Sequence, residues 1–168
     1  MIEVHTNLFV GDENAYYSFA SRESGWAVVH ACKEPFHRQT LGYTGRAVAK
    51  THPEYLVARR GDRLILNIVD TDNPDFYSRD MINQSLDFID EMRSKDMRVL
   101  IHCNQGESRS PSIALLYLAT RLKVLPTDSF EAAEKQFRTL YPRYYPKLGI
   151  REHIRQNWQY YYNQGNIA

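Results

Sequence analysis

The stretch from Arg98 to Leu122 constrains this chain more than any other part of its sequence. An apolar run, Val99-Leu100-Ile101, ends at His102-Cys103 and gives way to the polar residues Asn104-Gln105-Gly106-Glu107-Ser108-Arg109. The segment that follows, Pro111–Leu122, is apolar nearly all round, as expected of a helix enclosed within a domain. Ser110 reads as its N-cap and Pro111 as its first helical residue. Cys103 is therefore expected in a strand-to-helix turn that faces a helix N-terminus. Loop amides and the helix dipole make such a turn an anion site. Gly106 permits a backbone geometry or a close approach that a side chain would hinder.

The same field stabilises a thiolate. A free cysteine titrates near about 8.5, and surroundings of this kind lower that to about 3.5–7.5. Arg109 follows Cys103 by six residues and is placed to return to the loop mouth. Its planar fork fits two phosphate oxygens at once, which a lysine does not do. Such a clamp suits phosphoryl transfer, where charge spreads over the equatorial oxygens.

Short apolar runs at Asn7–Val10, Trp26–Ala31, Leu64–Val69 and Arg98–His102 read as strands. Helical periodicity marks Ser78–Arg93, with Ile82, Leu86, Ile89 and Met92 on one face. A further helix carries Phe130, Ala133, Phe137 and Leu140, capped by Asp128 with Glu131 completing a capping box and stopped by Pro142. The last helix, Leu148–Tyr162, turns Ile150, Ile154, Trp158 and Tyr161 inward. This order predicts an α/β fold: a central, mostly parallel sheet of four to five strands with helices on both faces. The 168 residues fit a single domain, 1–168. The segment from Lys33 to Arg63 is the least regular, with seven basic residues against three acidic ones. Its piece Pro53–Ala58 reads as a short helix with Pro in the first turn.

A net charge of +1 supplies no global field for nucleic acid or an anionic membrane. No run approaches the roughly 18 apolar residues of a membrane span. The first residues, Met-Ile-Glu-Val-His-Thr, lack the pattern of a signal peptide. Two cysteines are too few for a disulfide framework or a cysteine-rich zinc site, and a reducing cytoplasm is the expected setting. His30, His37 and His52 match no ligand spacing, so neither metal nor other cofactor is expected.

The pattern His-Cys-x-x-Gly-x-x-Arg-Ser at 102–110 resembles the signature of the protein tyrosine phosphatase superfamily. The wider context is similar to the dual-specificity phosphatases. Asn7-Leu8-Phe9-Val10-Gly11 resembles their opening strand, and Ser110-Pro111-Ser112 their post-loop segment. Only Lys33–Arg63 matches poorly. The resemblance implies a two-step reaction without metal. Cys103 takes the phosphoryl group as a thiophosphate, and water then hydrolyses it. It also implies that Ser110 stabilises the departing thiolate and that His102 orients the loop. An aspartate about thirty residues before the cysteine would be the acid. Asp70 fits best by position, Asp72 is the reserve and Asp75 a distant third. Cys32 has two readings: a small core residue or, as in some relatives, a reversible disulfide partner of the nucleophile.

The variable loop positions, Asn104, Gln105, Glu107 and Ser108, tilt the substrate towards a phosphorylated protein. Glu107 and the absence of loop lysines disfavour a polyanion by Coulomb repulsion. The basic segment could reverse this, leaving a phosphoinositide or RNA 5′ end as the alternative substrate. A phosphate-binding module without turnover is a third reading. Tyr160, Tyr161 and Tyr162 serve either packing or phosphorylation. The sequence does not specify the oligomeric state.

Overall fold

The computed structural model describes residues 1–165. Its frame is a sheet of strands β1 (Ile2–His5), β2 (Leu8–Gly11), β3 (Trp26–His30), β4 (Val57–Arg60), β5 (Arg63–Leu66) and β6 (Arg98–His102). Their spatial order is β1-β2-β6-β3-β5-β4. The inner strands β2, β6, β3 and β5 run parallel, and β1 and β4 close the two edges antiparallel. The sheet is thus mostly parallel, but it has six strands where four to five were expected. The two extra strands are edges whose polar residues hide them: β1 alternates with Glu3 and His5, and β4 ends in Arg59-Arg60. Charge on an edge blocks further pairing, so it is compatible with a strand and obscures its apolar pattern. Part of the expected helix Pro53–Ala58 is therefore turn, and Val57-Ala58 belongs to β4.

Short helices α1 (Glu13–Ala15) and α2 (Arg38–Leu41), each joined to a helical turn, follow β2 and β3. The longer helices are α3 (Arg79–Arg93), α4 (Arg109–Thr120), α5 (Phe130–Leu140), α6 (Leu148–Gln156) and α7 (Trp158–Gln164). Both faces of the sheet are covered, which explains why β3 is buried along its whole length. Ala27 and Val29 meet the main core under α3 and α4. Trp26 and Val28 meet a smaller cluster with Ala15, Ala20 and Leu100 on the opposite face. All of α4 is buried, from Arg109 to Thr120, in line with its uniformly apolar sequence.

Three helix boundaries differ from the expected ones. α4 begins at Arg109, so Ser110 lies inside the first turn and Ser108 takes the cap position. Ser108 makes no side-chain cap bond because its hydroxyl is bonded to Asp70 instead. α5 is capped by Ser129, whose hydroxyl accepts from Ala132 N at 3.2 Å, and not by Asp128. Leu140 on its last turn is exposed, while Phe130, Ala133 and Phe137 are buried. The last helix breaks at Asn157, yet Ile150, Ile154, Trp158 and Tyr161 all face the core as the periodicity required. Tyr161 is a packing residue, and the Tyr160 hydroxyl accepts from Asn83 Nδ2 at 2.7 Å.

The cap assignment has a measurable consequence. Ser129→Ala is expected to lower unfolding free energy by about 1 kcal/mol, whereas Asp128→Ala leaves it within about 0.5 kcal/mol. Urea denaturation of the two variants beside the parent decides this.

Candidate active site

Cys103 emerges at the carboxyl end of β6, one of the two central strands. Open parallel sheets bind ligands outside this end of their strands. The loop that follows is held from outside. The Asn104 carbonyl faces Glu13 N at 3.4 Å, and the Gln105 carbonyl accepts from Arg143 Nη2 at 2.9 Å. The Gly106 carbonyl accepts from the Tyr141 hydroxyl at 2.7 Å, and the Glu107 carbonyl from Tyr145 N at 2.8 Å. Burial pushes the Tyr141 phenol up to about 12, so it keeps the proton it donates. With four successive carbonyls turned outward, the intervening amides are left to face inward. Among the described residues no protein acceptor takes the amides of 104–108. This is an anion nest.

Gly106 is required at its place twice over. Its φ is +70°, and a Cβ would lie 2.8 Å from the carbonyl carbon and oxygen of Gly11. The loop rests directly on the turn after β2.

The thiol of Cys103 is buried, and the Ser110 hydroxyl lies 3.2 Å from its Sγ and 3.2 Å from the Gly11 carbonyl oxygen. Ser110 is thus in place to donate to sulfur even though it is not the helix cap. The Arg109 guanidinium is also buried. Nη2 donates to Asn104 Oδ1 at 2.9 Å, and Nη1 faces the Ile68 carbonyl at 3.4 Å. Nε has no hydrogen-bond partner and lies 3.8 Å from Asp70 Oδ2.

The structure brings Asp70 to the loop. Its Oδ1 accepts from Ser108 Oγ at 2.8 Å, and Ser108 Oγ in turn accepts from Lys147 N at 3.0 Å. Asp72 and Asp75 are exposed, and the Asp75 amide bonds Asn73 Oδ1 at 2.9 Å. The loop carrying all three aspartates is pinned by α6. A Cβ on Gly149 would lie 2.3 Å from the Thr71 carbonyl oxygen and 3.0 Å from that of Asn73.

His102 faces away from the loop. Its Nε2 is 2.7 Å from His30 Nδ1, and both rings are buried. Tyr16 stacks on His102 with centroids 5.2 Å apart, and Phe36 stacks on His30 at 4.3 Å. Burial pushes His30 down to about 2 and His102 to about 4. His37 bonds Tyr43 and the Glu54 carbonyl, so the histidines do not converge on a common site.

Cys32 is fully buried beyond β3, the strand beside β6. Ala31 N donates to the His102 carbonyl at 2.8 Å, so the two cysteines follow neighbouring paired strands. Both are free thiols, and burial pushes that of Cys32 up to about 12.

Several residues that shape the loop were not singled out from the sequence: Glu13, Tyr141, Arg143, Lys147 and Gly149. Each lies far from Cys103 in sequence and carries no local motif. Pro142 and Pro146, which break helix periodicity around them, are the only local sign that 141–147 is a shaped connection.

A family sequence model described as dual specificity phosphatase, catalytic domain, matches residues 41–156. The chain belongs to this dual specificity phosphatase family. Dual specificity protein phosphatase 1 of Homo sapiens is 34% identical over 62 residues, 37% of this chain and 17% of that protein. The chain thus aligns with only a small part of the curated relatives' length. The human tyrosine phosphatase-like serine/threonine/tyrosine-interacting protein superposes with a TM-score of 0.64 at 16% identity, covering 95% of each chain. A leucine rich repeat and phosphatase domain containing protein from Entamoeba histolytica gives 0.63 at 16% identity over 99% of this chain and 92% of its own. The fold shared with these two structures therefore takes in most of the first forty residues, which the family sequence model does not reach.

In this dual specificity phosphatase family member the buried histidines set a pH response. An unfolded histidine titrates near about 6.5. As pH falls from there towards 4, the unfolded chain takes up protons that the folded chain refuses. Stability is therefore full above about 6.5 and declines below it, by on the order of 3 kcal/mol from His102 alone. The imidazole NMR signals of His30 and His102 are expected to keep their neutral-form shifts down to about pH 5. Titration of either near 6.5 contradicts the assignment.

Proposed function

We propose that this protein is a cysteine-dependent phosphatase that hydrolyses phosphotyrosine, and phosphoserine or phosphothreonine as well, in protein substrates. The observation that carries this reading is the convergence of three groups on one anion nest. They are the Cys103 thiol, the Ser110 hydroxyl 3.2 Å from it and the buried Arg109 guanidinium with a donor to spare. Family membership supports it independently.

In the proposed reaction the phosphate enters the nest and is gripped by the amides of 104–108 and by Arg109. The Cys103 thiolate attacks phosphorus, and the P–O bond to the leaving group breaks. Asp70 gives its proton to the leaving oxygen, so the alcohol departs neutral. A thiophosphate remains on Cys103. Water then attacks it, Asp70 takes the proton back, and phosphate and the thiolate separate. Ser110 donates to the sulfur as its negative charge returns. Asp72 stands as the alternative acid: it is exposed and lies two residues before the 74–76 turn. The Ser108 and Arg109 contacts favour Asp70 by proximity. His102 acts through position alone, since both its neighbours and its pKa keep it neutral and turned from the nest.

A phosphorylated protein fits better than a polyanionic lipid or RNA. Glu107 stands in the loop, and most arginines of the basic segment are already neutralised by carboxylates. No described helix is long and apolar enough to cross a membrane. A reactive thiol of this kind belongs in a reducing compartment, and we place the protein in the cytoplasm.

Para-nitrophenyl phosphate tests the chemistry. Cys103→Ser is expected to abolish turnover. Asp70→Asn is expected to lower kcat by about 10²–10⁴-fold for alkyl phosphates, and less for the nitrophenyl ester, whose leaving group needs little protonation. An Asp70→Asn variant with an unchanged leaving-group dependence transfers the acid role to Asp72. A fully inactive, folded and reduced parent protein leaves the phosphate-binding reading in its place.

We also propose that Cys32 protects the nucleophile. Oxidation of Cys103 by peroxide to a sulfenic acid, followed by attack of the Cys32 sulfur with loss of water, gives a disulfide. Peptide mapping by mass spectrometry after mild peroxide treatment should recover a Cys32–Cys103 link that dithiothreitol reverses. Recovery of overoxidised Cys103 alone counts against it.

A further inference from the structure

We propose that the cavity beside the catalytic loop is a subsite for one acidic side chain of the phosphoprotein substrate. This rests on the phosphoprotein reading above and names what that substrate carries next to its phosphoresidue.

The cavity has a volume of about 500 Å³. The basic segment contributes Lys33, Lys50 and Tyr55, and the stretch after β5 contributes Asn67, Asp75 and Phe76. It adjoins the nest through shared hydrogen bonds. Lys33 N donates to the Ile68 carbonyl at 3.0 Å, the same carbonyl that faces Arg109 Nη1. The next carbonyl, that of Glu34, accepts from Asn104 Nδ2 at 3.0 Å. A peptide whose phosphate occupies the nest therefore lays a neighbouring residue over Lys33 and the aspartate loop.

The charge at this place is what the segment has left after internal pairing. Arg38 pairs with Glu34 at 2.7 Å, Arg59 with Glu91 at 2.7 Å and Arg60 with Glu54 at 2.6 Å. Arg63 lies 4.0 Å from Asp62 and donates to the Tyr16 hydroxyl on the opposite face of the sheet. Among the described residues, Lys33, Arg46 and Lys50 have no carboxylate within ion-pair distance. The ammonium of Lys33 donates to the Arg46 carbonyl, which fixes it at the cavity wall. Two lysines thus face one lining carboxylate, Asp75, and one further negative charge balances the site. A multiply charged headgroup overfills it and meets Asp75 as well.

The apolar part of the lining suits the stem of a glutamate or aspartate. Phe76 is 62% exposed at the cavity and Tyr55 is half-buried across the same space, so both rings are available to an aliphatic stem. The ion pair itself is a rim interaction in high dielectric. It is expected to be worth about three- to tenfold in kcat/KM.

The test uses the full chain and pairs of phosphotyrosine peptides that carry Glu or Gln at each flanking position in turn. The parent is expected to prefer Glu by about three- to tenfold at one or two positions, with the preference fading as salt rises. Lys50→Glu, a change at an exposed side chain, is expected to bring that ratio to one or below and to favour Lys at the same position. Lys33→Met should lower the ratio as well. A ratio of one at every position in the parent, or one unmoved by Lys50→Glu, overturns the proposal. So does preference for a short-chain soluble phosphoinositide over every peptide. Para-nitrophenyl phosphate is assayed in parallel because it reports the chemistry without the subsite. If that substrate is inert the catalytic reading fails alone, and the same Glu/Gln ratio is then read as Kd by fluorescence anisotropy.

Discussion

Everything at the site depends on four carbonyl groups being turned away from it. A loop of six residues between a strand and a helix has no reason of its own to present its amides on one side. The amides converge because Glu13, Arg143, Tyr141 and Tyr145 each engage one carbonyl from outside. The energy of those bonds is modest singly, about 0.5–1.5 kcal/mol for a neutral pair and more for the guanidinium. Their effect is geometric: they settle which way each peptide plane faces before any anion arrives. Preorganised dipoles of this sort need no rearrangement as charge develops.

The thiol and the guanidinium inherit that order. Ser110 reaches Cys103 from the first turn of α4, which starts two residues earlier than a serine cap at 110 would allow. The same shift gives Ser108 to Asp70 in place of its own helix. One hydroxyl thus joins the nest to the aspartate loop, and Lys147 N completes the chain of contacts to α6. On the other side His102 and His30 share one hydrogen bond between two neutral rings, and aromatic neighbours seal them from water. The residue before Cys103 is therefore anchored to the sheet, while the residues after it are anchored to the helices.

Much of this was legible in the sequence, and the rest was hidden for identifiable reasons. The strand at 98–102, the glycine at 106 and the enclosed helix were written locally, because each depends on neighbouring residues. So was the inward face of the C-terminal helices. The edge strands were not, since an edge needs only half an apolar pattern and Arg59-Arg60 erased even that. The cap at Ser129 was missed because Asp128 and Ser129 are both good caps, and only the backbone of the preceding turn chooses between them. The donors to the loop carbonyls could not be read at all: a tyrosine hydroxyl from 141 and an arginine from 143 find their acceptors only through the fold. The basic segment was legible in number but not in consequence, because pairing with Glu34, Glu54 and Glu91 decides which charges remain.

The order of the chain gives the outward anchoring a temporal meaning. Three of the four donors, Tyr141, Arg143 and Tyr145, and the Lys147 amide that supports Ser108, come from residues made well after Arg109. During synthesis the complete signature exists for some thirty residues without the groups that shape it. A nascent chain paused in that interval holds a cysteine, an arginine and a glycine in the right spacing, and no cradle. The chain is therefore completed last at the place where its loop geometry is most exposed to error.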